Sequence, residues 1–182
     1  AALLADGKVI GWYQGGAEFG PRALGGRSIL ALPVDPELKA FINSKIKFRE
    51  DFRPFAPSVL AEDASIHFEL ESDSPHMTMV ALTRPEWRAR IPAVVHRDGS
   101  ARVQTVHRDV TPRFHALLEA VKRRTGVSVV VNTSLNKRGM PIVETPREAV
   151  SLFLETAIDV LIIENWMIVK KTVRLVEPPQ QR

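Results

Sequence analysis

Apolar residues spaced three and four apart mark the helices of this chain. Phe114, Leu117, Leu118 and Val121 share one helical face after Thr111 and Pro112, which suit a helix start. Lys122, Arg123 and Arg124 sit at the negative end of that helix dipole, and Gly126 stops it. Thr145, Pro146 and Glu148 form a capping-box start for a second helix that runs to about Thr156. Asp35 and Pro36 open a third, carrying Leu38, Phe41, Ile42 and Lys45. Residues 1–6 read as a helix end, with Gly7 as the stop.

Strand patterns fill most of the remainder. KVIGWYQ (8–14) and SILALPV (28–34) are apolar runs bounded by turn residues. Residues 58–110 have a β-like texture, with PSVLAED, HMTMVAL, PAVVHRD and ARVQTVH as short strand candidates. Asp98-Gly99 between the last two predicts a hairpin. VSVVVNTS (127–134) is unbroken and β-branched, which predicts a central strand buried on both faces. DVLIIENWMIVKK predicts two strands joined at Glu164-Asn165, and residues 176–182 read as a disordered tail. The pattern predicts one mixed α/β (α+β) domain over residues 1–175.

Composition narrows the class. A chain of 182 residues, 45% of them hydrophobic, can bury one core without staples. It has no cysteine, so disulfides and thiolate metal sites are excluded, and a reducing cytoplasm is the expected compartment. No apolar run approaches the roughly 18 residues of a membrane span. The net charge of +4 is a mild bias toward anionic partners.

Four stretches carry candidate chemistry. EFGPRALGGRS (18–28) makes a poor helix and a poor strand. Its glycines let backbone amides form an anion-binding nest, and Arg22 and Arg27 supply planar forks suited to phosphate. A tight surface turn with hydrated arginines fits this stretch equally well. In NSKIKFREDFRPFAP (43–57), an extended chain places Lys45, Lys47, Arg49, Asp51 and Arg53 on one face. Phe48, Phe52 and Phe55 are then expected to be buried anchors. A solvated basic face paired with Glu50 and Asp51 is the alternative. In HRDGSARVQTVH (96–107), Arg102 either points inward or pairs with Asp98. His96 and His107 lack the spacing of a metal site. Asn132, Thr133, Ser134 and Asn136 appear at the C-terminal end of an apolar strand, where α/β sheets place ligands. The same residues can simply end the strand in a turn.

GPRALGGRSIL, IKFREDFRPFAPSVL, HRDGSARVQTV, TGVSVVVNTSLN and PIVETPREAV occur in this order. Together they resemble the C-terminal domain of the NodU/CmcH-type O-carbamoyltransferases, from about Gly7 to Lys170. The resemblance implies a YrdC-like fold with a twisted, partly open mixed sheet flanked by helices. It implies a domain that takes ATP, Mg²⁺ and carbamoyl phosphate, releases phosphate, and forms carbamoyl-adenylate from carbamate. A separate N-terminal domain would pass the carbamoyl group to an acceptor hydroxyl. By motif, Lys47, Arg53 and Arg102 take catalytic roles, and Arg22, Asn132, Ser134 and Asn136 bind carbamoyl phosphate or ATP. Family members often carry a larger polar residue at Gly26, so glycine there implies a looser loop. Met140 stands where many have Glu.

The residue types suit that chemistry. Two unit charges about 4 Å apart interact by roughly 4 kcal/mol at an effective dielectric of about 20. Two anionic substrates therefore need fixed cations before they can meet. An RNA-binding module on the same scaffold is the alternative, and it would require exposed rings for stacking. A third reading is a scaffold that only docks onto a partner domain.

Overall fold

The computed structural model describes residues 1–170. The expected domain boundary at residue 175 and the tail 176–182 lie outside the described residues. In chain order the elements are α1 (Ala2–Ala5), β1 (Ile10–Tyr13), β2 (Arg27–Ala31), α2 (Leu38–Ile42), β3 (Ala56–Leu60), α3 (Ala64–His67) and β4 (Met79–Leu82). They continue with α4 (Pro85–Arg88), β5 (Ser100–Val106), α5 (Pro112–Thr125), β6 (Val129–Ser134), α6 (Pro146–Glu155), β7 (Val160–Ile163) and β8 (Trp166–Val169). The strands form one open mixed sheet in the order β4-β5-β3-β6-β2-β1-β7-β8. β1 runs parallel to β7 and β3 parallel to β5, and the other neighbours are antiparallel. The expected α/β class holds. Among the described residues, no helix is long and apolar enough to cross a membrane.

Most elements form where local chemistry predicts them. Gly126 adopts φ 73° to end α5. Thr145 and Glu148 complete the capping box of α6, with the Glu148 carboxylate accepting from the Thr145 amide at 2.9 Å. β6 lies between β2 and β3, as its unbroken apolar run requires. Three expectations fail. PAVVHRD is not a strand: Pro92–Val94 form a tight 3₁₀ turn, since Pro92 lacks the amide a ladder needs. Asp98-Gly99 does make a turn, with Gly99 at φ 84°, but β5 takes β4 as its antiparallel partner. The basic run 43–53 is not extended. Asn43–Lys47 form a widened helical turn, and Phe48 follows at φ 49°.

The sheet has one mainly apolar face and one divided face. Residues in register share a side, so Leu30, Asn132 and Ala56 form a row across three strands. Leu30, Leu60, Val106 and Val130 pack under Phe114, Leu118 and Val121 of α5. Farther along the same face, Ser28, Ser58, Arg102, Gln104, Asn132 and Ser134 replace the apolar set. The opposite face is mainly apolar, with Ile29, Val59, Val103, Val129 and Val131 facing Ile42, Ile46 and Phe153, and it carries Arg27, Thr105 and Thr133 toward its ends.

The glycine loop between β1 and β2 closes over the boundary of the two regions. Trp12 Nε1 donates to the Gly25 carbonyl at 2.8 Å. Gly25 has φ 112°, and a Cβ there would lie 2.4 Å from Phe114 Cδ1. Gly25→Ala is therefore expected to destabilise the fold by about 2–4 kcal/mol, combining overpacking with backbone strain. Chemical denaturation of the two proteins measures it, and a loss below about 1 kcal/mol would show that Phe114 yields easily.

Candidate functional site

The glycine loop is held by the chain's own carboxylate. Glu18 Oε1 accepts from the amides of Leu24 and Gly26 at 2.7 Å each and of Arg27 at 3.2 Å. The nest expected for an outside anion is thus filled by Glu18. Gly26 tightens this loop: a Cβ would stand 2.8 Å from the Gly16 carbonyl oxygen and 3.1 Å from Glu18 Oε1. Arg27 is also structural. It is buried, its guanidinium lies 3.4 Å from the Tyr13 ring centre, and Nη1 donates to the carbonyls of Gln14, Gly15 and Gly26. Arg22 alone of the loop's two arginines remains exposed.

Asn43 shapes the basic segment. It is fully buried, its Nδ2 donates to the carbonyls of Asp51 and Arg53, and its Oδ1 accepts from Arg49 Nε at 2.7 Å. This hub folds residues 43–53 into a compact loop. Phe55 is buried beneath Arg49, whose guanidinium lies 5.0 Å from the ring centre. Phe48 and Phe52, expected to be buried, are 49% and 74% exposed, because the left-handed turn at Phe48 swings the chain outward.

Two adjoining hollows open beside the polar end of β6. The inner chamber, about 90 Å³, is lined by Arg22, Arg49, Met77, Arg102, Asn132 and Ser134, among others. The outer cleft, about 310 Å³, shares Arg22, Arg49 and Arg102 and adds Arg53, Val80 and His96. Arg102 thus points inward, and Asp98 instead accepts from the Ser100 amide and hydroxyl. The guanidiniums are close enough to disfavour one another. Burial and Arg53 lower the pKa of Arg49, and burial and Arg22 lower that of Arg102. A larger cleft of about 530 Å³ lies across the glycine loop, between Gly15, Gly16 and the start of α5. Its walls are mainly apolar, and its one cation, Arg113, is already bonded to Glu164 and Gln14. The smaller hollows hold the unpaired positive charge.

Lys47 sits beside the hollow without lining it. Its Nζ lies 2.6 Å from the Ser134 carbonyl, 3.2 Å from Ser134 Oγ, 3.1 Å from the Asn136 carbonyl and 2.7 Å from Asn136 Oδ1. The ammonium therefore ties the turn after α2 to the loop after β6. Asn136 likewise faces Lys47, and its Nδ2 donates to the Met140 carbonyl at 2.8 Å. Burial, with Arg49 and Arg53 nearby, pulls the Lys47 pKa down to about 7. Of the sequence-predicted residues, Arg22, Arg53, Arg102, Asn132 and Ser134 meet at the hollows, while Lys47 and Asn136 brace them from behind. Arg49, which the sequence places on the basic face but to which the motifs give no role, lines both hollows. Gln104 has no predicted role either, and nothing in its local sequence marks it.

Glu62, His115 and Glu119 form a separate group whose ligand atoms could meet on a cation. Both ring nitrogens of His115 face carboxylates, Nε2 at 2.9 Å from Glu62 and Nδ1 at 3.9 Å from Glu119. That is the arrangement of an imidazole held between two acids.

The family described as Carbamoyltransferase C-terminus matches residues 1–170. The chain belongs to the carbamoyltransferase C-terminal family. It is 47% identical over 175 residues to nodulation protein NolNO of Sinorhizobium fredii, covering 94% of this chain and 26% of that protein. It is 44% identical over 178 residues to nodulation protein NolO of Bradyrhizobium diazoefficiens, covering 96% of this chain and 32% of that one. The chain thus spans between a quarter and a third of these curated relatives. A crystal structure of full-length HypF in a phosphate- and nucleotide-bound form shares the fold, with a TM-score of 0.61 at 18% identity. That likeness covers 90% of this chain and 24% of HypF.

The depressed Lys47 pKa sets a pH dependence. Unfolded, this lysine keeps its proton to about pH 10.5; folded, it releases it near 7. Between those values the unfolded chain binds more protons, so this group's contribution to stability rises with pH and is lost as pH falls toward 7. Relative to Lys47→Met, the unfolding free energy of the native chain should rise by up to about 1.4 kcal/mol per pH unit from pH 7 to pH 10. Urea titrations of both proteins across that range check the slope, and a flat difference contradicts it.

Proposed function

We propose that this domain binds carbamoyl phosphate and ATP, splits carbamoyl phosphate to carbamate and phosphate, and joins carbamate to AMP with release of pyrophosphate. It would then serve as the carbamoyl-adenylate-forming part of an ATP-dependent O-carbamoyltransferase. The observation that carries this reading is the convergence of Arg22, Arg49, Arg53 and Arg102 on two connected hollows. Four guanidiniums in one place repel each other until an anion arrives. A polyanion relieves that repulsion, and each planar fork can hold two oxygens at once. Charge and position would do the work, since the repulsion between two anionic substrates is the main obstacle to their reaction.

The two hollows divide the task by size. The inner chamber holds a group of a few heavy atoms, and the outer cleft has room for phosphates. A small chamber behind a charged entrance also shelters carbamate, which decomposes in water. No Asp or Glu lines either hollow, so the residues there do not fit a resident Mg²⁺. Any such ion would travel on the phosphates of the nucleotide. The remaining two-thirds or more of the longer relatives is where we place the acceptor site and transfer step.

The RNA-binding reading keeps one supporting observation. Phe48 and Phe52 are exposed beside Arg49 and Arg53, as stacking platforms would be. Titration separates the two. Carbamoyl phosphate with ATP should raise the melting temperature, increasing with the logarithm of ligand concentration above the Kd. Arg53 has no side-chain hydrogen bond among the described residues, so Arg53→Ala should unfold at the native midpoint yet bind carbamoyl phosphate at least about tenfold more weakly. Arg102→Ala should reduce ATP-dependent phosphate release by about a hundredfold or more. Native turnover in both variants removes the arginines from the reaction. RNA affinity that falls steeply with salt, without any small-molecule stabilisation, favours the second reading.

A further inference from the structure

Glu62, His115 and Glu119 meet where α5 packs over the end of β3. None of the three lines the arginine hollows or the apolar cleft. His115 and Glu119 are one turn apart on α5, so they share a face of the helix. Glu62 comes from the tight turn Ala61–Asp63 that follows β3. The last residue of that turn fixes its place: Asp63 accepts from Lys122 at 2.8 Å, farther along the same helix. Glu62 is therefore held near His115 by a bond in which neither takes part.

The His115 side chain is 3% exposed, and both ring nitrogens turn toward carboxylates. Nε2 lies 2.9 Å from Glu62 Oε1, and Nδ1 lies 3.9 Å from Glu119 Oε2. A neutral imidazole carries one N–H and one lone pair. Whichever nitrogen holds the proton, the other directs its lone pair at an anionic oxygen. The Nδ1 gap is too long for a hydrogen bond. It is near the spacing of two donors on one ion, since atoms about 2.1 Å from a tetrahedral metal stand roughly 3.4 Å apart. Arg108 donates to the other oxygen of Glu119, Oε1, at 2.7 Å, leaving Oε2 toward the ring.

We infer that Glu62, His115 and Glu119 bind a first-row divalent ion of the Zn²⁺ class through one imidazole nitrogen and two carboxylate oxygens. The ligand atoms lie within 4.8 Å of one another, and rotation of the half-exposed Glu62 carboxylate brings them to one centre. Water completes the shell on the open side. The nitrogen donor selects the class: imidazole suits zinc, copper, nickel and iron, whereas magnesium and calcium take oxygen ligands. The ion pins α5 to the turn after β3, and so steadies the helix that covers the apolar end of the sheet. This site stands apart from the arginine hollows and does not depend on the function proposed for them.

Thermal melts and calorimetric titration of this chain with zinc chloride, after dialysis against a chelator, test the inference. The native chain should bind one ion, and at a hundredfold excess over Kd its melting temperature should rise by about 5–10 °C. Glu62→Gln and Glu119→Gln alter accessible carboxylates, and each should weaken zinc binding at least about tenfold. His115→Gln should abolish it; if that variant does not fold, the two carboxylate variants decide alone. Magnesium chloride at the same concentrations should give no shift. Absence of saturable zinc binding overturns the inference. Zinc binding that survives undiminished in the variants also overturns it, because the ion then sits elsewhere, as at His107 and Asp73. An equal response to magnesium overturns it too, since the imidazole is then not a ligand.

Discussion

A sheet face that is apolar at one end and polar at the other cannot be covered uniformly. In this domain α5 lies over Leu30, Leu60, Val106 and Val130, and it stops where Ser58, Gln104, Asn132 and Ser134 begin. A second apolar layer over those polar groups would strip their water without replacing it. Ser58, Gln104 and Asn132 bond to one another instead, Ser134 bonds to Lys47 and Asn136, and the space above them is left to loops. The hollow is thus a direct product of where the apolar pattern on β6 ends.

The loops that frame this hollow are held by charged groups acting as structural parts. Glu18 organises the glycine loop by collecting three amides on one oxygen. Lys47 joins two segments that are 87 residues apart in the chain. Arg27 is spent on three carbonyls and an aromatic ring. With these groups fixed, Arg22, Arg49, Arg53 and Arg102 are left facing the same space. The domain therefore separates charges that build the loops from charges left available to a guest.

Much of this was legible in the sequence, and the limits have physical causes. α5, α6 and β6 follow from local spacing, capping chemistry and an unbroken β-branched run, all of which act over a few residues. The basic segment was legible as a site but not in its geometry, since its shape depends on buried Asn43 bonding to carbonyls eight and ten residues later. Phe48 and Phe52 point outward for the same reason. Glu18 gave no local sign that it would fill the nest of its own loop. The burial of Lys47 is set by acceptors from the far side of the sheet, which periodicity cannot reveal. Motif order located the right stretches; only tertiary contacts show that Lys47 and Asn136 stand behind the hollow while Arg49 stands in it.

The position of β6 bears on how the protein comes into being. β2 and β3 are joined in the sheet only through β6, which is made about seventy residues after β3 ends. A nascent chain emerging from the ribosome therefore holds two apolar strands with an empty slot between them until residue 134 is available. Closure is a long-range event, which slows folding and exposes unpaired strand edges to neighbouring chains. The pocket and the join between β2 and β3 form in the same step, before β7 and β8 add to the far edge, so a nascent chain that has not yet closed has no pocket.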